Sequence, residues 1–143
     1  MNSDLMFLVA NIVALVGWIA LIVGKPGEGH HVTVARAVGL GLALIYLSIF
    51  LANGQGLLVL ARDYSLNGIG TLFASPELRL LGWIHYLAFD LWVGSWEVEE
   101  AGRGGVSRAV LIPCLVLTWA LGPLGLLAFV LARRLIGDRA AER

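Results

Sequence analysis

Four long apolar segments dominate this sequence and restrict its possible folds more than any other feature. Each is close to the roughly 20 residues that a helix needs to cross the hydrocarbon core of a bilayer. Because backbone polar groups inside lipid must be satisfied within the segment, apolar runs of this length indicate α-helices. Charged residues make up only 14% of the 143 residues, whereas soluble domains contain about a quarter. The predicted spans are residues 5–23, 33–52, 76–97 and 107–131.

These segments account for most of the chain, so the sequence predicts a single membrane domain over residues 1–143. The predicted fold class is all-α: an integral membrane four-helix bundle with an apolar interfacial or re-entrant segment between the second and third spans. That segment, residues 54–75, is too apolar for a disordered loop, yet its apolar stretches are too short to span. It either lies on the membrane surface or forms a lid over a cleft, hinged at Asn67-Gly68. A polar tail over residues 133–143 ends the chain.

Charge and its distribution bear on partners and orientation. The formal net charge is zero, so membrane lipids rather than nucleic acid are the expected partners, and the oligomeric state is left open. The first segment lacks a basic region before it and a small-residue cleavage site after it, so we expect a span rather than a signal peptide. With four spans, both termini share one side, and the basic residues favour the cytoplasm for that side. That side would hold Arg62, Arg79, Arg133, Arg134, Arg139 and Arg143, against Lys25, Arg36, Arg103 and Arg108 on the other.

The third span carries ionisable side chains, which are costly within a membrane and point by default to function. On a helical wheel, Asp90 lies on one stripe of the helix. The members of this stripe are Arg79, Trp83, Tyr86, Asp90 and Glu97. Asp90 lies near the middle of the span, so it is either protonated or paired with a neighbouring side chain. A protonated acid beside an apolar pocket is suited to donate a proton to an ether or epoxide oxygen. The alternative is that Asp90 is a hydrogen-bonding staple between helices.

A second stripe of the same helix includes His85, which lies about 140° from Asp90 on the wheel. His85 is a candidate base or a packing residue. Since one straight helix does not bring these two side chains together, acid–base chemistry requires that the third span lie at the centre of the bundle, with neither stripe facing lipid. The candidate substrate-binding residues are the aromatic side chains of both stripes and the arginine near the helix start. They are Trp83, Tyr86, Phe89, Trp92, Trp96 and Arg79.

The remaining polar residues have structural interpretations. Glu97, Glu99 and Glu100 are expected at the headgroup boundary, where the third span ends. The only cysteine, Cys114, lies in an apolar run and is expected to be a small buried hydrophobe. No metal-ligand set and no cofactor-binding motif is recognised, so neither a metal nor a cofactor is expected.

Several motifs resemble one family of membrane proteins. The most specific is residues 83–91, Trp-Ile-His-Tyr-Leu-Ala-Phe-Asp-Leu, preceded by Ser75-Pro76-Glu77. Residues 112–114 and 121–126 in the fourth span add weaker matches. Together they resemble the family named after the plant abscisic-acid-deficient-four protein. The resemblance is good over the third and fourth spans, whereas the first two spans agree mainly in hydropathy.

This resemblance implies a function. Plant members are implicated in making neoxanthin from violaxanthin, an isomerisation in which an epoxide opens, a proton is lost and an allenic alcohol forms without a redox cofactor. If the chemistry carries over, Asp90 and His85 are the positions able to act as acid and base on a carotenoid or another isoprenoid lipid. The chain looks like a bacterial member, for which the inner membrane is the expected location. The alternative is a membrane protein that binds lipid or pigment, or assembles with other proteins, without catalysis.

Overall fold

The computed structural model describes residues 2–25, 29–58 and 62–141, and the prediction of an all-α fold is confirmed. Within these ranges the chain forms six α-helices, with a 3-10 turn at Gly54–Leu57 after the second. They are α1 (Ser3–Val23), α2 (Gly29–Asn53), α3 (Leu66–Leu72), α4 (Pro76–Gly104), α5 (Arg108–Leu121) and α6 (Pro123–Ala141). Among them, α1 and α2 are long and apolar enough to cross a membrane.

The third predicted span, α4, is the central helix of the bundle. Two clusters of buried apolar side chains hold it in place. One cluster, around Trp18 and Leu91, joins α4 to α1, α5 and α6. The other, around Leu42 and Ile84, joins α4 to α1 and α2. At 29 residues, α4 is about 43 Å long and continues past the predicted end at residue 97 as far as Gly104.

Side-chain contacts define the two ends of the bundle. Towards the first end, the indole of Trp83 in the first third of α4 donates to Asn11 in the first half of α1. At the second end, Arg108 at the start of α5 donates to the carbonyl of Ile22 near the end of α1. α1 and α4 therefore both run from the first end to the second, while α2 runs in the opposite direction between them.

The fourth predicted span is two helices that fold back on each other. α5 ends at Gly122, whose φ of 48° and ψ of −99° lie in a region that suits glycine alone. Pro123 then occupies the first position of α6, where proline is favoured. Arg133 of α6 forms an ion pair with Glu100, close to where α5 begins. A continuous helix would carry residue 133 more than 30 Å from that point, so α6 must run antiparallel to α5.

This fold-back changes the expected topology. The sequence prediction of both termini on one side depended on four complete crossings. Because α5 enters from the second end and α6 returns to it, Ser3 and Ala141 lie at opposite ends of the bundle. α5 has 14 residues, or about 21 Å, which is too short for a hydrocarbon core of about 30 Å. The α5–α6 hairpin is therefore a half-length insertion into the bundle.

The segment between α2 and α4 contains one short helix, α3, placed beside the start of α4. The predicted hinge at Asn67-Gly68 lies inside α3 instead of between two elements. Phe73, just after α3, packs closely against the bare Cα of Gly82 in α4. Residues 59–61 of the predicted interfacial stretch lie outside the described residues.

Candidate functional site

Asp90 lies at the middle of α4, directly against the turn of the α5–α6 hairpin. A Cβ atom on Gly122 would come within 3.2 Å of both carboxylate oxygens of Asp90. One of these oxygens, Oδ2, is buried and accepts no hydrogen bond from any described residue. Buried polar atoms are nearly always hydrogen-bonded, so this oxygen needs either its own proton or a bound group to complete it.

Tyr86 lies one helical turn before Asp90 and closes one side of the same region. Its hydroxyl donates a 2.5 Å hydrogen bond to the carbonyl of Trp119, at the end of α5. Trp83, a turn earlier, has its ring centroid 5.3 Å from that of Tyr86, and its indole Nε1 is 3.3 Å from Asn11 Oδ1. These residues line a cleft of about 220 Å³ between α1, α4 and α5, completed by Asn11, Leu87, Trp119 and Ala120.

Glu97 belongs to the same face of α4 and is buried inside the bundle. Its side chain is 0% exposed, because α4 continues beyond it and the hairpin covers it. Oε1 accepts a 2.8 Å hydrogen bond from Thr118 Oγ1 of α5. Oε2 is buried without a partner among the described residues. The sequence placed this residue correctly on the stripe of Asp90 but missed its burial, which depends on the hairpin.

The stripe that contains His85 faces outward beside α2. The His85 ring stacks on Phe89 at 4.6 Å and lies 6.1 Å from the ring of Tyr46 in α2. Phe89 and Trp92 are 62% and 46% exposed. His85 and Asp90 are therefore not brought together. Paired acid–base chemistry by His85 and Asp90 requires that neither stripe faces outward. The stripe of His85 does not meet this requirement.

Two apolar clefts follow the outward stripe. The first, about 300 Å³, lies between His85, Tyr46 and the end of α3. The second, about 240 Å³, is floored by Gly39 and Ala43 of α2 and walled by Phe89 and Trp92. Small residues on α2 thus leave space beside the aromatic side chains of α4.

The last two predicted binding residues have contacts within the fold. Trp96 turns inward and meets Phe129 of α6 edge to face, with centroids 5.7 Å apart. Arg79 donates from Nε to the carbonyl of Phe73 and from a terminal nitrogen to that of Ala74, at 3.0 and 3.2 Å. Arg79 therefore fastens the residues after α3 to the start of α4.

Arg36, near the start of α2, has two partners on α4. Its guanidinium binds both carboxylate oxygens of Glu99, at 2.9 and 2.7 Å, and lies over the Trp92 ring at 5.2 Å. The signal for this pair was present in the sequence as two opposite charges near helix ends, but nothing local indicated that α2 and α4 are antiparallel neighbours.

In the described part of the chain, no three His, Cys, Asp or Glu side chains are grouped so that they could hold a metal ion. Cys114 is buried, with a free thiol. On this face of α4, Asp90 and Glu97 each have one buried carboxyl oxygen without a hydrogen-bond partner among the described residues.

Fold and site together define a small helical bundle with apolar outer helices and, on its central helix, one buried and one half-buried carboxyl group. A family model described as ABA DEFICIENT 4-like matches residues 5–129, and the chain belongs to this family. This agrees with the resemblance of residues 83–91. Comparisons with curated proteins and with solved structures find no match.

Proposed function

We propose that this chain is an integral membrane protein that isomerises a carotenoid or another isoprenoid lipid, with Asp90 as the proton donor. Family membership supports a membrane protein of the neoxanthin-synthesis type. The surface supports the membrane location. Leu8, Ile12 and Ile19 of α1 each expose more than half of their surface (55, 55 and 52%), and an exposed apolar belt of this kind fits lipid contact.

The membrane arrangement that follows has three crossings, by α1, α2 and α4, and one re-entrant hairpin. Irregular backbone within a membrane is tolerated where protein buries it, and the turn at Gly122 is enclosed against Asp90. With this topology the two sides differ strongly in charge. Arg62 and Arg79 fall on the side of the N-terminus, and the other eight of the 10 basic residues fall on the side of the C-terminus. The positive-inside rule then assigns the C-terminus to the cytoplasm and the N-terminus to the opposite side.

The single observation that carries the chemical proposal is the unmet Oδ2 of Asp90 at the hairpin turn, beside an aromatic cleft. Asp90 does not itself line that cleft, but Tyr86, one turn before it, does. An epoxide oxygen that reached past Tyr86 to Oδ2 would accept the proton of Asp90 as its C–O bond breaks. A water molecule beside the substrate then accepts a proton from the neighbouring carbon, whose C–H electron pair forms the allene, so that the product is an allenic alcohol with the atoms of the substrate and no oxidant is consumed. His85 faces the α2 side, so it is not assigned as the base for this cleft.

The second candidate function is binding of a pigment or lipid without turnover. It is favoured by the clefts on the α2 side, where Phe89 and Trp92 form an open aromatic wall above Gly39 and Ala43. A long apolar ligand could lie along this wall without meeting Asp90. The two candidates use different faces of α4, so variants can separate them.

The experiment compares pigment profiles in a bacterial host that makes epoxy-carotenoids. We expect the wild-type chain to produce an isomer that Asp90→Asn does not, at equal protein level. Asp4→Asn makes the same chemical change at an exposed position in the first turn of α1 and is expected to retain the product. An isomer formed equally by Asp90→Asn would contradict the catalytic assignment. A pigment that co-purifies with wild type but is never converted would favour the binding function.

A further inference from the structure

Glu97 is the most completely enclosed ionisable group in the described residues, and the reaction proposed above does not use it. It is 0% exposed and lies where α4, α5 and α6 meet. An acid kept in such a position is costly, and in membrane proteins it usually marks a path for ions or protons. The surroundings of Glu97 indicate a path for protons.

The hydrogen bond from Thr118 to Glu97 is held by close packing on the far side. A Cβ on Gly125 of α6 would collide with Thr118 Oγ1 and with the backbone nitrogen of Thr118. Thr118 therefore fills the space between α4 and α6, and its hydroxyl remains directed at Oε1 of Glu97. The second carboxyl oxygen of Glu97, Oε2, has no hydrogen-bond partner among the described residues.

Glu97 lies between Asp90 and the second end of the bundle. Asp90, Glu97 and Glu100 share one side of α4, at offsets of seven and ten residues. Glu100 binds Arg103 on its own helix and Arg133 on α6, and Arg103 is 69% exposed at its side chain. Along the axis, Glu97 is about 10 Å from Asp90 and about 5 Å from Glu100.

Trp18 of α1 carries a further polar atom without a partner near this part of α4. The far edge of its indole packs on Gly94, which lies between the two acids on α4. Its Nε1 is buried and has no partner among the described residues. A buried water needs two to four polar partners, and Oδ2 of Asp90 and Oε2 of Glu97 each offer one. Because the two acids are about 10 Å apart along the axis, more than one water would be needed to connect them.

We propose that Glu97 is a proton-exchange residue that connects Asp90, through bound water, with the aqueous boundary at Glu100 and Arg133. The proton moves from the boundary to Glu97 and then to Asp90, so each carboxyl group gains one proton and passes one on. The proposal rests on the proposed function only for the use of that proton, since Asp90 must be protonated again whenever it has donated to a substrate.

The titratable groups around Glu97 are few. On α4 they are Asp90 and Glu100, on α5 the buried thiol of Cys114, and on α6 Arg133, which Glu100 engages. α1 contributes the neutral indole of Trp18. Of these, only Glu100 and Arg133 reach the boundary, so the route from Glu97 leads towards them.

The test is hydrogen–deuterium exchange followed by infrared spectroscopy on the full chain in lipid vesicles, without substrate. The C=O stretch of a protonated carboxyl group shifts when its proton is replaced by deuterium, and Asp90→Asn identifies the band of Asp90. We expect Glu97→Gln to keep that band and to slow its exchange by about tenfold or more. Glu77→Gln, which changes an acid in the first turn of the same helix, is the matched control and is expected to leave the rate unchanged.

Glu97→Asp provides a second variant, because it retains the acid with a side chain one methylene shorter. We expect an intermediate exchange rate, which a merely structural role of Glu97 would not produce. Exchange at the wild-type rate in a folded Glu97→Gln or Glu97→Asp protein would overturn the proposal, as would the absence of any Asp90 band in the wild type. Because no substrate is present, these results are independent of whether pigment is converted.

Discussion

Gly122 is the position at which one added methyl group tests the hairpin most sharply. Its φ of 48° and ψ of −99° suit glycine alone, and holding a residue with a side chain there costs about 1–3 kcal/mol. The new Cβ would also come within 3.2 Å of both oxygens of Asp90. We therefore expect Gly122→Ala to lower the unfolding midpoint by about 3–10 °C for a chain of this size.

Two other glycines separate the causes. Gly105 also has a positive φ, 64°, but a Cβ there would meet nothing within 4 Å, so Gly105→Ala measures backbone strain without crowding. Gly41 lies in α2 with open space around it, and Gly41→Ala should leave the protein equal or more stable, by up to about 1 kcal/mol.

The assay uses the single cysteine. Cys114 is buried, so a fluorogenic maleimide reacts with it only as the protein opens, and a temperature ramp in mild detergent gives the midpoint. A Gly122→Ala protein with the midpoint of the wild type, while Gly105→Ala is destabilised, would refute the folded-back geometry at this turn.

Three further sets of variants each test a contact that holds the helices together. Replacing Arg36 and Glu99 by glutamine, singly and together, should give a coupling energy of about 1 kcal/mol in a double-mutant cycle. The reason is that their bidentate ion pair is only partly solvated. Additive losses of stability would contradict the pairing. Arg79→Gln removes two hydrogen bonds to the residues after α3, so amide exchange in α3 should become faster while the global midpoint changes little. Tyr86→Phe removes the donor to the Trp119 carbonyl and should cost about 0.5–1.5 kcal/mol, because the bond is exposed; an unchanged midpoint would argue against that bond.

Local patterns in the sequence predicted the helices but not the way that they pack. Hydropathy and the Ser75-Pro76 start were sufficient to indicate α4, since length and capping are properties of neighbouring residues. The Gly122-Pro123 pair marks an interruption of the fourth span. A kink and a full reversal have the same local signature, and the contacts of α6 with α4, such as the pairing of Arg133 with Glu100, distinguish them.

The candidate site was predicted in part for the same reason. The wheel placed Asp90 and Glu97 on one stripe of α4 and His85 on another, and the structure retains this division. What the wheel could not give is the neighbour that each stripe meets. The hairpin buries Glu97, whereas the stripe of Phe89 and Trp92 is left open beside α2.

The re-entrant hairpin is the feature to test first. It packs against Asp90, it buries Glu97, and it places the two termini at opposite ends of the bundle. The decisive measurement attaches a reporter active only outside the cytoplasm, and in parallel one fluorescent only inside it, to each terminus of the full chain in a bacterial inner membrane. The account predicts opposite sides, with the N-terminus outside and the C-terminus in the cytoplasm. Both termini on the same side would mean that residues 107–131 cross the membrane completely, and would contradict it.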